Sequence, residues 1–423
     1  MENSEVPGRK NANRLSGRTP GWEALRRLRI QSKIEALCGV RFFHMGARIS
    51  LSAARIGCPG GGRLRRAWDF IRLFGALALV FLMMVWPGEA LSAAQGAMRA
   101  WAQSVGPSLF PFLALLPALT CQEAQCFYKR LLGRLMRPLF RLPGNAAAAL
   151  FVGLLAGSPA GALAVERISG GMRRGEVKRL GLMCAGVSPV YFISGVGAAL
   201  FGSVELGLWL AAAQAAAQIM LGLALRGRFA TETQLLPQAP DREGQHSVRA
   251  AVASVLQVCG YMALFSVGAA MVAKLAGGMA GDYLLYIADM PSGLARAAER
   301  GASWPLAAAV AGFGGLCIAT QNMAVLGALG VRWWEYLAAR SFVAGICALT
   351  IGLRFSLPGA AAPAMATFKA GALETSTLGA MLLLIPALLA VSRGAGEERY
   401  ENDGNLNKDK KSLYTGKNNH EKA

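Results

Sequence analysis

The chain is predicted to be all-α: a polytopic integral membrane bundle of about eight membrane segments, one or two of them re-entrant or broken. Three observations predict this. Only 16% of the 423 residues are charged, 54% are hydrophobic, and the mean hydropathy is +0.38; a soluble domain carries about 25% charge. The charge crowds into residues 1–72, a few short loops and the C-terminal stretch, and the runs between them are Ala, Leu, Val, Gly and Met. Apolar runs of about 18 residues or more read as membrane helices. The net charge of +20 is carried mainly beside apolar spans, which is the placement expected of cytoplasmic membrane loops and of attraction to anionic headgroups, not of a nucleic-acid surface.

Residues 1–68 are rich in Arg, Gly and Ser and lack a sustained apolar period. They read as a basic, mostly disordered cytoplasmic tail, with a short amphipathic helix near Trp22–Leu37. The apolar run begins too late for a cleaved signal peptide. The membrane domain covers 69–392, with a first half at 69–225, a polar loop at 226–249 and a second half at 250–392. Residues 393–423 are Lys/Asn-rich and disordered in character.

Within the first half, a span at Ile71–Trp86 is opened by Arg63, Arg65, Arg66 and Arg72, which places the N-terminus in the cytoplasm. An amphipathic stretch follows at Leu91–Ser104. Pro107 and Pro111 then predict a helix that starts late or kinks before Thr120. The loop Lys129–Arg141 (KRLLGRLMRPLFR) is basic, amphipathic and suited to the cytoplasmic surface.

Asn145–Val165 poses a conflict. It is apolar enough to cross, yet the following loop, Glu166–Arg179, holds Arg167, Arg173, Arg174, Lys178 and Arg179. A crossing would put five basic residues outside. A re-entrant hairpin turning at Gly157-Ser158-Pro159-Ala160-Gly161 removes the conflict; a Gly-rich span packed tightly on its neighbours is the alternative. Bare backbone at membrane depth is tolerated only where protein or a watery cavity surrounds it, so such a hairpin is a candidate site.

Spans follow at Leu180–Gly202, with Ser188-Pro189 in its interior, and at Leu206–Leu225. Gln214 and Gln218 lie four apart on one face of the latter and suit interhelical hydrogen bonding, with solute contact as the alternative. Past the 226–249 loop come a span at Ala250–Val272, a Gly-rich stretch at 275–303 read as interfacial, and a span at Ala307–Gly330. This last contains Phe313-Gly314-Gly315 and then Gln321. Trp333, Trp334 and Tyr336 resemble an interface belt ahead of the span Leu337–Leu353. Leu378–Val391 is the last span.

The eight cysteines show no zinc or disulfide spacing, and the three histidines, His44, His246 and His420, lie outside the spans. A metal site is therefore not expected, and neither is a bound cofactor. No HExxH, GxSxG or Walker loop occurs, so no enzyme is predicted. Paired Gly/Pro breaks near intramembrane polar residues suit a solute-binding scaffold instead. One break is Gly157–Gly161 and the other Phe313–Gly315; they fall in the two halves, and in repeat-built transporters such breaks meet near the midplane. The candidate binding residues are Gly157, Ser158, Pro159, Gly161, Ser188, Pro189, Asp289, Gly314, Gly315, Gln321 and Arg340. Arg340 can pair with Asp289 or with a break carbonyl, or snorkel from a helix end. Asp289 can equally be a water-facing loop residue.

Seven motifs occur in order: Pro107–Phe112 (PSLFPF), Arg137–Gly144 (RPLFRLPG), Gly157–Ala162 (GSPAGA), Ser188–Gly197 (SPVYFISGVG), Gly260–Phe265 (GYMALF), Phe313–Gln321 (FGGLCIATQ) and Tyr336–Arg340 (YLAAR). Over residues 70–392 the chain resembles the sporulation integral membrane protein family of the YlbJ type, which is grouped with the gate domain of nucleoside and ferrous-iron transporters. The resemblance implies two gate-like halves, a multi-pass cell-membrane protein and a role in endospore formation, in assembly of the spore cortex or envelope. It implies a small solute bound or transported, with a non-transporting scaffold that recruits sporulation partners as the alternative. The partners it admits are the lipid bilayer, a small solute, sporulation membrane proteins and a further copy of the chain as a homo-oligomer, with no nucleic acid. The sequence departs from the family at the first break, where Ser158 and Leu163 stand in place of Tyr and Lys, and at Ala185-Gly186, in place of two Asn. Asp289 stands where Glu is usual. These departures remove a charge and two amides from the expected cavity, which argues against nucleoside-like or anionic solutes.

Overall fold

A computed structural model describes residues 62–237 and 247–356. The two tails and the last expected span, 378–391, lie outside the described residues. Among the described residues there is no strand, and six helices are long and apolar enough to cross a membrane. The chain is a multi-pass helical membrane protein.

Helix α1 (Gly62–Val85) begins in the Arg cluster and ends against Trp86-Pro87. Its exposed face carries Phe70, Phe74, Phe81 and Met84, as a lipid-facing helix requires. The expected late start near Pro107 does not occur. Helix α2 (Pro87–Ala100), a π-turn at Trp101–Val105 and α3 (Gly106–Leu119) form one 33-residue run. The π-turn absorbs the irregularity: the Gly106 N–H donates to Trp101 O, five residues back, so the bend lies one turn before the prolines. Helix α4 (Gln122–Leu135) holds the basic amphipathic stretch, with Phe127 and Leu131 exposed on one side and Tyr128 buried on the other.

The chain then turns back on itself. Helices α5 (Ala146–Ala156) and α6 (Ala160–Ile168) are antiparallel. A Cβ added to Gly161 would lie 2.9 Å from the Cα of Gly153, eight residues earlier; in an unbroken helix the two would be about 12 Å apart. The predicted hairpin forms. Its turn is Gly157-Ser158-Pro159, with a cis Ser158–Pro159 peptide. Helix α7 (Arg174–Cys184) starts earlier than expected because Glu176 accepts the Arg173 N–H at 2.9 Å, an N-terminal cap. Backbone at 185–188 is non-helical, and α8 (Pro189–Tyr191) continues as a π-helix at Phe192–Leu200. Helix α9 (Val204–Ala224) returns, capped where Ser203 Oγ accepts the Leu206 N–H at 3.2 Å.

The second half repeats this order. Helix α10 (Ser247–Ala276) spans 30 residues, roughly 45 Å. Residues 275–303, where an interfacial helix is expected, form a second helical hairpin. Helices α11 (Gly278–Ala288) and α12 (Met290–Glu299) fold back at Asp289, so that a Cβ on Gly293 would meet the Cα of Tyr286 at 2.9 Å. A crossing helix interrupted at Gly314 follows, as α13 (Trp304–Phe313) and α14 (Gly315–Leu326), and α15 (Trp333–Ser356) closes the described chain. The stretch 307–330 is therefore a broken span and not a hairpin.

Apart from α1 and α4, which are extra to the first half, each half thus runs long helix, hairpin, broken helix, single helix, in opposite senses. The first hairpin is rooted at the basic end, where Lys178 Nζ pairs with Glu232 at 2.5 Å and Glu335 at 3.2 Å, and Arg179 donates to Arg226 O and Arg141 O. The second is rooted at the other end, where Asp282 pairs with Arg296 and Arg300, and Glu89 with Lys274.

Candidate functional site

The two hairpin turns and the two helix breaks come together in the interior. Gly157 has φ +66°, and a Cβ there would lie 2.6 Å from Val187 C. Only glycine allows both the left-handed backbone and this approach to the first break. Ser158 N–H then donates to Gly186 O at 2.6 Å. The second half mirrors it: Gly315 has φ +78°, and a Cβ there would lie 2.9 Å from Met290 N and 3.3 Å from Asp289 Cα. Each hairpin turn therefore packs against the helix break of its own half.

Hydrogen bonds join the halves. Ser158 Oγ donates to Asn322 Oδ1 at 2.7 Å, and Asn322 Nδ2 donates to Tyr336 Oη at 2.7 Å. Asn322 is fully buried. Tyr336 is 1% exposed, so it is not part of an interface belt; Trp333 and Trp334, at the same helix end, are exposed. Asn322, next to the candidate Gln321, is not among the residues expected from the sequence. Helical phase separates them, with Gln321 toward a cavity and Asn322 toward α15.

Arg340 is also 1% exposed, which excludes snorkelling. It does not pair with Asp289. Its Nε donates to Phe313 O at 3.3 Å and its Nη2 to Gly312 O. These are carbonyls freed by the Gly314 break, and the negative end of α13 faces the guanidinium. With its amide turned so that the oxygen faces the two donors, Gln214 accepts from Arg340 Nη2 at 3.0 Å and from Val187 N–H at 3.2 Å. Gln214 thus ties the first break to the residue that caps the second, the interhelical role expected of it.

Between these contacts lies a small cavity of about 50 Å³. Ser158, Ser188, Asp289 and Gln321 line it, with Val187, Met262 and Ile318 among its apolar walls. Ser188 Oγ donates to Leu155 O at 3.5 Å, and Gln321 Nε2 lies 3.4 Å from Cys317 Sγ. Of the other candidates, Gly157, Gly161, Gly315 and Arg340 shape the backbone behind the cavity. Gly161 sits against Cys184, Pro159 caps α6, Pro189 opens α8, and Gly314 ends α13; none of these lines it.

Asp289 is not a water-facing loop residue. It is 1% exposed, at the turn of the second hairpin. Its Oδ2 accepts from Ser292 N–H at 3.3 Å, Ser292 Oγ at 2.6 Å and Ser266 Oγ at 2.9 Å. Ser266 and Ser292 line a second, wider cavity of about 1030 Å³ that reaches Glu89, Lys274 and Asp282 at the end opposite the basic one. The two cavities share Tyr191 and Pro291, so the second hairpin turn is the wall between them. Among the described residues, no cluster of three or more His, Cys, Asp and Glu is placed to hold a metal ion.

No family model matches the chain, and no solved structure matches it. It is similar to the sporulation integral membrane protein YlbJ of Bacillus subtilis (strain 168), at 31% identity over 152 residues, 36% of this chain. That match spans 37% of the length of the curated relative.

Proposed function

We propose that this chain acts in endospore formation, in assembly of the spore cortex or envelope, by binding a small solute between its two hairpin turns and passing it across the cell membrane. The observation that carries the reading is the convergence of two oppositely rooted hairpins on one cavity lined by Ser158, Ser188, Asp289 and Gln321. Bared amides and carbonyls beside a cavity are what solute-binding membrane scaffolds use. The wider cavity beyond the second turn supplies an approach from one end. The similarity to a sporulation membrane protein supports the cellular role. A binding role fits better than an enzymatic one: Ser158 Oγ donates to an amide oxygen rather than to a base.

The orientation follows from charge. Arg130, Arg141, Arg173, Lys178, Arg179 and Arg226 gather at one end, and basic loops stay in the cytoplasm. The N-terminus of α1 then lies inside, and the wider cavity opens outward.

The test is sporulation by a host whose own copy carries Ser158→Ala, Ser188→Ala and Gln321→Ala together. The reading predicts inserted protein at normal abundance with sporulation blocked. Normal sporulation would end it; if deletion of the tails alone then abolished function, a partner-recruiting scaffold would take its place.

A further inference from the structure

Asp289 holds one carboxylate oxygen in reserve. As the N-cap of α12 it needs only one oxygen, and Oδ2 serves that role while taking both serine hydroxyls. Oδ1 is buried with no hydroxyl, amide or cationic partner, and only the weakly donating Cys317 thiol lies beside the carboxylate. Among the described residues none forms an ion pair with Asp289, and no Lys or Arg lines the cavity that it faces. The fully buried Arg340 donates through Nε and Nη2 to the α13 carbonyls and makes no ion pair with Asp289. An isolated carboxylate at this depth is costly unless it takes up a proton or meets a positive charge, and a cation bound in the cavity supplies the second. Other polar side chains around the cavity, among them Ser158, Ser188, Tyr191 and Gln321, offer oxygens to a hard cation and acceptors to an ammonium group.

We propose that Asp289 Oδ1 anchors a small monovalent cation in the inner cavity, either an alkali metal ion or the ammonium group of the solute itself. The inference deepens the solute-site reading and rests on it for the identity of the cavity. It assigns the ligand class: cationic or cation-accompanied, and not anionic. Ser266 and Ser292 act as positioning residues that aim Oδ1 inward by holding Oδ2. Because both also face the wider cavity, the cation's route enters past the second hairpin turn.

The experiment is equilibrium binding of radiosodium to the purified full chain in lipid nanodiscs, with methylammonium as competitor. Wild type is expected to bind sodium saturably, or to bind radiolabelled methylammonium where sodium fails to compete; the first result identifies a metal ion and the second an organic ammonium. Asp289→Asn should weaken either by at least about tenfold, since a neutral amide replaces the counter-charge. Ser266→Ala, which keeps the carboxylate, should weaken it about threefold, and Glu89→Gln in the outer cavity should leave it unchanged. Wild type that binds neither probe, or Asp289→Asn and Ser266→Ala proteins that bind like wild type, overturns the proposal. Failure of the solute reading looks different: cation binding would persist while the triple alanine variant still sporulates.

Discussion

The bond that joins the two halves can be measured by a double-mutant cycle. Ser158 and Asn322 are 164 residues apart in sequence, and their side chains meet at 2.7 Å with both residues buried. Ser158→Ala removes one hydroxyl and leaves Asn322 Oδ1 without that donor. Asn322→Ala removes both this bond and the one to Tyr336 Oη, so it strands two hydroxyls. Each stranded buried group costs about 1–3 kcal/mol; Ser158→Ala should therefore destabilise by about 1 kcal/mol and Asn322→Ala by about 3 kcal/mol. The coupling between them should be about 1 kcal/mol, within the range measured for interhelical bonds in membranes, where the mean is about 0.6 and the maximum about 1.7 kcal/mol. The assay is reversible unfolding in mixed micelles of wild type, both single variants and the double variant. Single effects that add to within about 0.3 kcal/mol would show that the two side chains do not touch, and that the first hairpin turn is not held by the second half.

Three further outcomes follow from the same contacts. Arg340→Met should destabilise by about 3 kcal/mol, because the Phe313, Gly312 and Gln214 oxygens lose their shared donor; Arg340→Lys, with one point of donation, should recover less than half, as read by thermal unfolding. Gly157→Ala should cost about 1–2 kcal/mol from its backbone alone and more from the clash with Val187, whereas Gly171→Ala, at φ +74° with nothing within 4 Å of its Cβ, should show the backbone cost only; equal losses in expression-matched stability assays would refute the close approach. Lys178→Met should cost about 3 kcal/mol by leaving Glu335, whose side chain is 3% exposed, without its cation; adding Glu335→Gln should restore part of it, and no recovery would place the loss elsewhere.

Much of this architecture is legible in the sequence because the bilayer punishes ambiguity. The first hairpin could be read from a conflict between hydropathy and charge: 145–165 is apolar, and five basic residues follow it. The second hairpin gave no such conflict. Its flanks, Asp282, Arg296, Glu299 and Arg300, are of mixed sign and pair with one another, so nothing betrays that the chain returns to the same end. Its turn carries Pro291 and Gly293, but they follow an N-capping Asp inside the first turn of α12, and a capping Asp in sequence looks the same whether it meets water or a cavity. The partners of the site were hidden for a related reason. Ser266 and Ser292 are unremarkable in composition, and whether Asn322 or Gln321 faces the cavity depends on the phase of α14, which the left-handed Gly314 and Gly315 reset. Arg340 was visible as an oddity, but its partners are backbone oxygens, and backbone has no sequence signature.

Site-directed labelling settles whether the chain turns back twice. Single cysteines at Arg130, Arg173, Met279 and Glu299, all exposed positions, would be placed in a background without the natural cysteines and treated with a membrane-impermeant maleimide from either side. Two opposed hairpins predict that 130 and 173 react from the cytoplasm only, and 279 and 299 from outside only. Reaction of 130 and 173 from different sides, or of 279 and 299 from different sides, would mean that one hairpin crosses the bilayer, and the cavity between the turns could not exist as described.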